Sequence, residues 1–305
     1  MRDVDIHFFQ TFGYCVIRHL LSEEIDEIGV EFDRLMGLRQ TLDAEGKPAR
    51  TLHWQALDSS PVLSALIDNS KVIGIFDALL GSDWQYFGSV ANHYTGNTGW
   101  HTDDFSFHDK VKIAIYLDEI GPGRGGLSVI PRTHVPSLDV VELQLDVGMS
   151  EAALGISQAQ VPSTTISTEP GDVIVFHHNL MHSSWGGGDK RRMLSINAHA
   201  RYDDEELLLE NVLRAARFRH PSAYGPFMNC ATMPMSRRIH LEQMLRHDDQ
   251  LRAQVDRVVR SVPSGAVDLL PDMSSNVDRN AAAEEFARDT DYRATVAILK
   301  AKAGA

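Results

Sequence analysis

Cysteine is scarce: the 305-residue chain has two, Cys15 and Cys230. Neither has a partner at C-x-x-C spacing, so no disulfide framework is indicated and a reducing compartment is the simple reading. Long apolar runs are also missing, and no stretch reaches the length needed to span a bilayer. The opening residues, Met1-Arg2-Asp3-Val4-Asp5, lack a basic stretch leading into an apolar one, so no secretion signal is expected. A cytoplasmic location follows as the expectation. Positive charge is in short supply, with 29 Lys and Arg against 42 Asp and Glu, a formal net charge of -13. That excess argues against nucleic acid or an anionic membrane as the main partner, since both require a basic face. An anionic small molecule stays compatible, because a site can be locally basic. No internal repeat is visible.

What is present is an ordinary soluble composition, 43% hydrophobic and 23% charged. The length suffices for a sizeable core in one large domain or two small ones. Ile6–Gln10 reads as a short helical turn and Gly13–Arg18 as a strand. Ser22 stands where a helix N-cap would, with Glu23 and Glu24 in the first turn and an apolar stripe running to about Met36. A second helix is expected over Pro61–Leu80. Trp84–Tyr94 then reads as one or two strands, and Thr95–Gly99 as a turn. Val111, Ile113, Ile115 and Leu117 alternate with Lys112, Ala114, Tyr116 and Asp118, a half-buried strand by its period of two. Gly121–Gly126 is expected to be a hairpin connection to a return strand at Leu127–Ile130. Residues 135–165 form a long excursion with helical content, a lid or an insertion. Further strands are expected at Val173–Phe176 and Arg191–Arg201, separated by the turn Gly186–Asp189. From Asp203 the period becomes helical, with stripes at Leu207–Leu213, Ile239–Val259 and Ala281–Lys300. Short strands with Gly-rich turns in the middle, and helices on either side, indicate a β-sandwich or barrel with helices packed outside.

The stretch Trp100-His101-Thr102-Asp103 carries the chemistry. On an extended strand His101 and Asp103 point to the same face. One imidazole and one carboxylate make two corners of a metal site, and a non-haem Fe(II) oxygenase adds a second histidine while leaving the opposite side open. His182 is the candidate. Asp104 is an alternative to Asp103, although it points to the other strand face. His177 and His178 are alternatives close to His182, read as lining or core residues. In the last strand Arg191, Met193, Ser195, Asn197 and His199 share a mainly polar face. Arg192, Leu194, Ile196, Ala198 and Ala200 share the apolar one, which is expected to meet the outer helices. An inward-pointing arginine at the strand start is costly unless it meets an anion. Guanidinium matches carboxylate as a bidentate fork, so Arg191 is a candidate for holding a dicarboxylate.

Taken together, several motifs resemble the phytanoyl-CoA dioxygenase family. They are Trp100-His101-Thr102-Asp103, the strand to Tyr116-Leu117-Asp118, Gly125 to His134, Pro170-Gly171-Asp172 leading to Phe176, His182, and Arg191 to Ser195. The opening, with Phe9, Gly13 to Ile17 and Leu20-Leu21-Ser22, is also similar, and the resemblance covers about residues 5–202. It implies a mainly β, double-stranded β-helix (jelly-roll or cupin-like) barrel with N-terminal helices over residues 1–202. The helical extension at 203–305 would pack on the same domain. It implies Fe(II) held by His101, Asp103 and His182, and 2-oxoglutarate as cosubstrate with its far carboxylate on Arg191. Asn92 and Ser195 are secondary candidates for cosubstrate contact, and Tyr94, Phe105, Phe107 and Trp185 for substrate contact. With Asp103 present, hydroxylation or another oxidation of an unactivated C–H bond of a small metabolite is favoured over halogenation, with O2 consumed and succinate and CO2 released. A homodimer is compatible. Two readings from other classes stand beside it: a non-catalytic barrel that binds a small molecule, and a zinc or manganese hydrolase or isomerase.

Overall fold

A computed structural model of the chain describes residues 1–37, 51–187, 191–215, 234–250, 253 and 290–303. Two antiparallel sheets lie at its centre. The larger has six strands in the order β1 (Tyr14–Ile17), β8 (Val173–His177), β5 (Lys110–Tyr116), β10 (Arg191–His199), β3 (Gln85–Tyr94) and β2 (Thr51–Trp54). The smaller has four, in the order β4 (Thr98–His101), β9 (His182–Ser184), β6 (Leu127–Val129) and β7 (Thr164–Thr165).

Alternation along the strands distributes their side chains between two cores. On β5, Val111, Ile113 and Ile115 join the helix-side core with Leu194, Ile196 and Ala198 of β10. That core includes Ile28, Phe32 and Leu35 of α2 (Ile25–Gly37) and Val72, Ile75 and Phe76 of α4 (Ser70–Leu80). The opposite parity faces the other sheet: Ala114, Tyr116, Ile174, Phe176 and Met193 pack with Leu127, Val129 and Ile166. The apolar and polar faces of β10 therefore fall as its alternation predicts.

The expected barrel is corrected. Neither sheet closes on itself: β1 and β2 end the larger sheet, β4 and β7 the smaller. Alternation and Gly-rich turns report one buried face per strand, which a sandwich and a barrel share. Closure depends on pairing between edge strands, which no local pattern encodes. The Gly121–Gly126 hairpin is also corrected. β6 pairs with β7 and β9 rather than with β5, so this loop carries the chain from one sheet to the other. The single helix over Pro61–Leu80 is instead two, Pro61–Ser64 and α4. Asn69 caps the second, its Oδ1 accepting from Lys71 N at 2.9 Å.

Asp172 ties β1 to β8. Its carboxylate, 1% exposed, accepts from His19 N at 2.8 Å, Glu169 N at 3.0 Å and Arg18 at 2.6 Å. Gly171 beside it has φ 95°, and a Cβ there would lie 2.7 Å from Ser22 Oγ. The described C-terminal elements meet the same core. His240 stacks on Trp84 at 3.8 Å between ring centroids. Gln243 Nε2 donates to Tyr202 O at 2.6 Å, and its backbone N–H donates to Gln85 Oε1 at 3.0 Å. The stripe expected over Ile239–Val259 is broken: the short helix Glu242–Arg246 stops at His247. Residues 251–252 and 254–259 of that stripe, residues 188–189 of the Gly186–Asp189 turn, residues 281–289 of the last stripe and Cys230 lie outside the described residues. Cys15 is buried, and burial pushes its thiol up to about 12.

Burial holds His199 neutral, pushing its pKa down to about 3. An unfolded histidine titrates near 6.5, so below that pH the unfolded chain binds a proton that the folded chain refuses. Stability is then complete above about pH 6.5 and falls as pH drops toward about 3. Urea midpoints should therefore fall between about pH 7.5 and about pH 5, with His199 contributing roughly 2 kcal/mol of the loss. His199→Phe should flatten that slope by about one proton; a variant with the wild-type slope would show that His199 titrates normally in the fold.

Candidate metal centre

The smaller sheet brings the two histidines together. β4 and β9 pair antiparallel with His101 directly opposite His182, and the ring centroids are 4.1 Å apart. Each ring is fixed through Nδ1, to Gly99 O at 2.9 Å for His101 and to Leu180 O at 2.8 Å for His182. A carbonyl only accepts, so both Nδ1 atoms carry the proton and both Nε2 atoms carry the lone pair that a metal needs. Asp103 completes the set. One ligand atom from each of His101, Asp103 and His182 lies within 4.8 Å of the other two. His182 Nε2 is 3.9 Å from Asp103 Oδ2.

Asp103 does not reach this position as part of an extended strand. β4 ends at His101, and the chain then bends. The backbone N–H groups of Asp103 and Asp104 both donate to His178 O, at 2.9 and 3.2 Å. This clamp directs the two carboxylates apart. Asp104 Oδ2 meets Lys110 Nζ at 2.5 Å in a pair whose side chains are 3% and 2% exposed. Asp103 Oδ2 meets Lys112 Nζ at 2.7 Å, with 19% and 15% exposed. Asp104 is thus held in a buried ion pair, and Asp103 is the carboxylate at the metal position. Burial alone would raise the Asp103 carboxyl. Lys112, His182, His178 and His101 outweigh that and hold it far below the usual carboxylate range. Burial, the neighbouring His101 and Lys112 keep His182 down at about 3, opposed by Asp103, so it is neutral as a ligand must be.

Arg191 enters from the larger sheet at the start of β10, 2% exposed. Its Nη1 donates to Gly125 O at 3.0 Å and makes a short contact with Ser184 Oγ. Its guanidinium lies 4.4 Å from the Tyr94 ring centroid. The carbonyl, the hydroxyl and the ring are each uncharged. Gly125 leaves room for the arginine: it has φ 76°, and a Cβ there would come within 2.9 Å of Arg191 Cδ. Ser184 is two residues beyond His182, on the same face of β9, which separates the arginine from the metal position by about 7 Å along the strand.

The remaining candidates are dispersed. Asn92 is buried opposite Met193, and Tyr94 is opposite Arg191. Ser195 Oγ donates to Val90 O at 3.4 Å. Trp185 Nε1 donates to Ser183 Oγ at 2.8 Å. Phe105 is buried at 2% exposure, whereas Phe107 is 47% exposed with Lys302 Nζ 5.1 Å from its ring centroid. His177 lies 3.4 Å from Asp109 Oδ1, away from the three ligand candidates. Sequence reasoning missed Lys112. It counted as the solvent side of a half-buried strand, yet that side faces the other sheet. The one signal was that the two residues following it on that face of the strand, Ala114 and Tyr116, are uncharged.

Two histidines and one carboxylate on one side of a common point define a facial metal site of the non-haem iron type. A family model described as phytanoyl-CoA dioxygenase (PhyH) matches residues 9–193, more than half of the chain, and the chain belongs to that family of Fe(II)- and 2-oxoglutarate-dependent oxygenases. Among curated proteins, none matches. Solved structures share the fold. The non-haem α-ketoglutarate-dependent carbocyclase SnoK from nogalamycin biosynthesis is 18% identical, with TM-score 0.53 over 66% of this chain and 84% of its own. HygX from Streptomyces hygroscopicus, with nickel and 2-oxoglutarate bound, is 16% identical, with TM-score 0.54 over 66% and 88%. EctD from S. alaskensis, with bound iron, is 21% identical, with TM-score 0.51 over 66% and 77%.

The two adjacent aspartates should differ sharply on substitution. Asp104→Ala removes the carboxylate that meets the buried Lys110 ammonium and should cost about 3–5 kcal/mol in urea unfolding. Asp103→Ala should cost much less stability, yet reduce bound iron to background by metal analysis. Equal losses of stability in the two variants would contradict this division of labour.

Proposed function

We propose that the protein oxidises an unactivated C–H bond of a small metabolite, with Fe(II) held by His101, Asp103 and His182 and with 2-oxoglutarate held at its far carboxylate by Arg191. The observation that carries this reading is the convergence of three ligand atoms within 4.8 Å, from two strands and the bend that follows one of them. The donor set fits iron: two imidazole nitrogens with their protons turned away, and a carboxylate held ionised. Bound iron, with 2-oxoglutarate and O2, would supply the oxidising power and release succinate and CO2.

The chain's own residues do the placing. Gly99 and Leu180 orient the two imidazoles. His178 O fixes the backbone that carries Asp103. Arg191, 2% exposed at the start of β10, offers a fork to a carboxylate. Its distance from the metal position along β9 suits a five-carbon diacid bridging the two. Tyr94, opposite Arg191, supports the guanidinium through its ring. Asn92 and Ser195 on the neighbouring inward face are secondary contacts for the same cosubstrate, and Phe107 and Trp185 are candidates at the rim for substrate. Hydroxylation is the simplest outcome, although a carbocyclase among the structural relatives shows that this fold serves other oxidations too. Residues 1–202 and 203–305 are read as one domain, supported by the His240 and Gln243 contacts to β3.

Anaerobic addition of Fe(II) and then 2-oxoglutarate should produce the weak visible band of a chelated 2-oxo acid. The band should be lost in His101→Ala and His182→Ala. In Arg191→Ala it should need at least about tenfold more 2-oxoglutarate, a loss of about 1.4 kcal/mol or more. Gly125→Ala, which crowds Arg191, should shift the same titration in the same direction. A folded wild type that shows no band would instead favour the binding-module or zinc readings.

A further inference from the structure

We propose that the inward face of β5 and β10 beside the metal centre is a subsite for a carboxylate of the primary substrate. Lys112 would hold the carboxylate, and Asn197 would accept a hydrogen bond from a donor next to it. The inference rests on the oxygenase reading and names its substrate class: a small hydroxy or amino carboxylic acid.

Placement comes from register. Lys112 is paired with Asn197 on β10 and with Phe176 on β8, so the three lie side by side in one row. Directly paired residues sit about 5 Å apart at Cβ and can grip one ligand group together. Asn197 is 7% exposed; its Nδ2 donates to Gly88 O at 3.1 Å, and its Oδ1 has no hydrogen-bond partner. His178, 5% exposed and attached through its carbonyl to the Asp103 backbone, has an unpartnered Nε2. Buried polar atoms are normally satisfied, and two orphans beside a metal centre mark a place where a polar ligand completes the set.

Charge makes the second, independent argument. In the loaded centre the divalent metal, the doubly anionic cosubstrate, Asp103 and Arg191 cancel one another. Lys110 and Asp104 are paired with each other. Lys112 would then share Asp103 with the metal, on a side chain only 15% exposed. A little-exposed cation whose carboxylate is shared with a metal can take a second anion. Its ammonium has three N–H donors, one of which meets Asp103 at 2.7 Å, leaving others to hold a carboxylate. A carboxylate held there lies next to a metal ligand, so the carbons that follow it are brought to the metal. A hydroxyl or amine next to that carboxylate can donate to Asn197 Oδ1. The protein's overall negative charge is no obstacle, since this pocket is locally basic.

The test uses full-length protein loaded anaerobically with Fe(II) and 2-oxoglutarate, with iron content and the visible band recorded for every sample. The probes are 2-hydroxy acids of three to six carbons, each paired with its neutral amide, titrated by calorimetry. In the wild type at least one acid should bind about tenfold or more tightly than its amide. Lys112→Met should bring that ratio to about one, and Lys112→Arg should restore it. Asn197→Leu should keep the acid-over-amide ratio and erase the preference for the 2-hydroxy acid over the unsubstituted acid. The inference is overturned if no acid outbinds its amide. It is also overturned if Lys112→Met sheds iron while its loaded fraction keeps the preference, which would confine Lys112 to supporting Asp103. A wild type without the visible band fails at the oxygenase reading itself, and the substrate inference falls with it.

Discussion

The register between β4 and β9 is the constraint on which the site depends. Because His101 faces His182 across an antiparallel pair, the two imidazoles are set 4.1 Å apart. A shift of one residue would send one ring to the opposite face of the sheet. The same strand pair fixes Ser184, and through Ser184 it reaches Arg191. The candidate metal ligands and Arg191 are thus measured along one short strand.

A second constraint is electrostatic. Lys110 and Lys112 sit on one face of β5 and meet two consecutive aspartates, Asp104 and Asp103. One pair is sealed in the core and the other stays near the surface of the site. The difference in exposure decides their roles. A buried pair gives up its solvation and must remain paired, whereas a partly open one can exchange partners. His178 is the hinge of this arrangement, since its carbonyl holds both aspartate amides. Phe107, with Lys302 of the terminal helix Thr290–Ala303 near its ring, lies on the loop that follows the aspartates.

Much of this was legible in the sequence. Period-two alternation located β5 and β10 and assigned the faces of β10, because one buried face leaves a clear trace. The combination of His101, Asp103, His182 and Arg191 in chain order indicated the family, which the match over residues 9–193 establishes. The barrel was wrong because closure is a relation between edge strands distant in sequence. The hairpin at Gly121–Gly126 failed for a similar reason: a glycine-rich turn says that the chain reverses, without saying which sheet it enters. Helix Pro61–Leu80 was read through a break at Asn69, whose capping role a continuous apolar stripe concealed.

Residue types and spacing, on their own, determined the candidate ligands, with Asp103 and Asp104 both open, the excess of negative charge and the parity of the central strands. These are local properties, fixed by chemistry and by a two-residue repeat. Only the tertiary structure decided that β4 lies against β9, that Asp104 is sealed against Lys110 while Asp103 faces the metal position, and that Lys112 points inward. Each of these depends on contacts between segments far apart in the chain, or on a backbone bend held by a distant carbonyl. Hydrogen bonding and burial select among such contacts through the whole fold, and no window of sequence contains them.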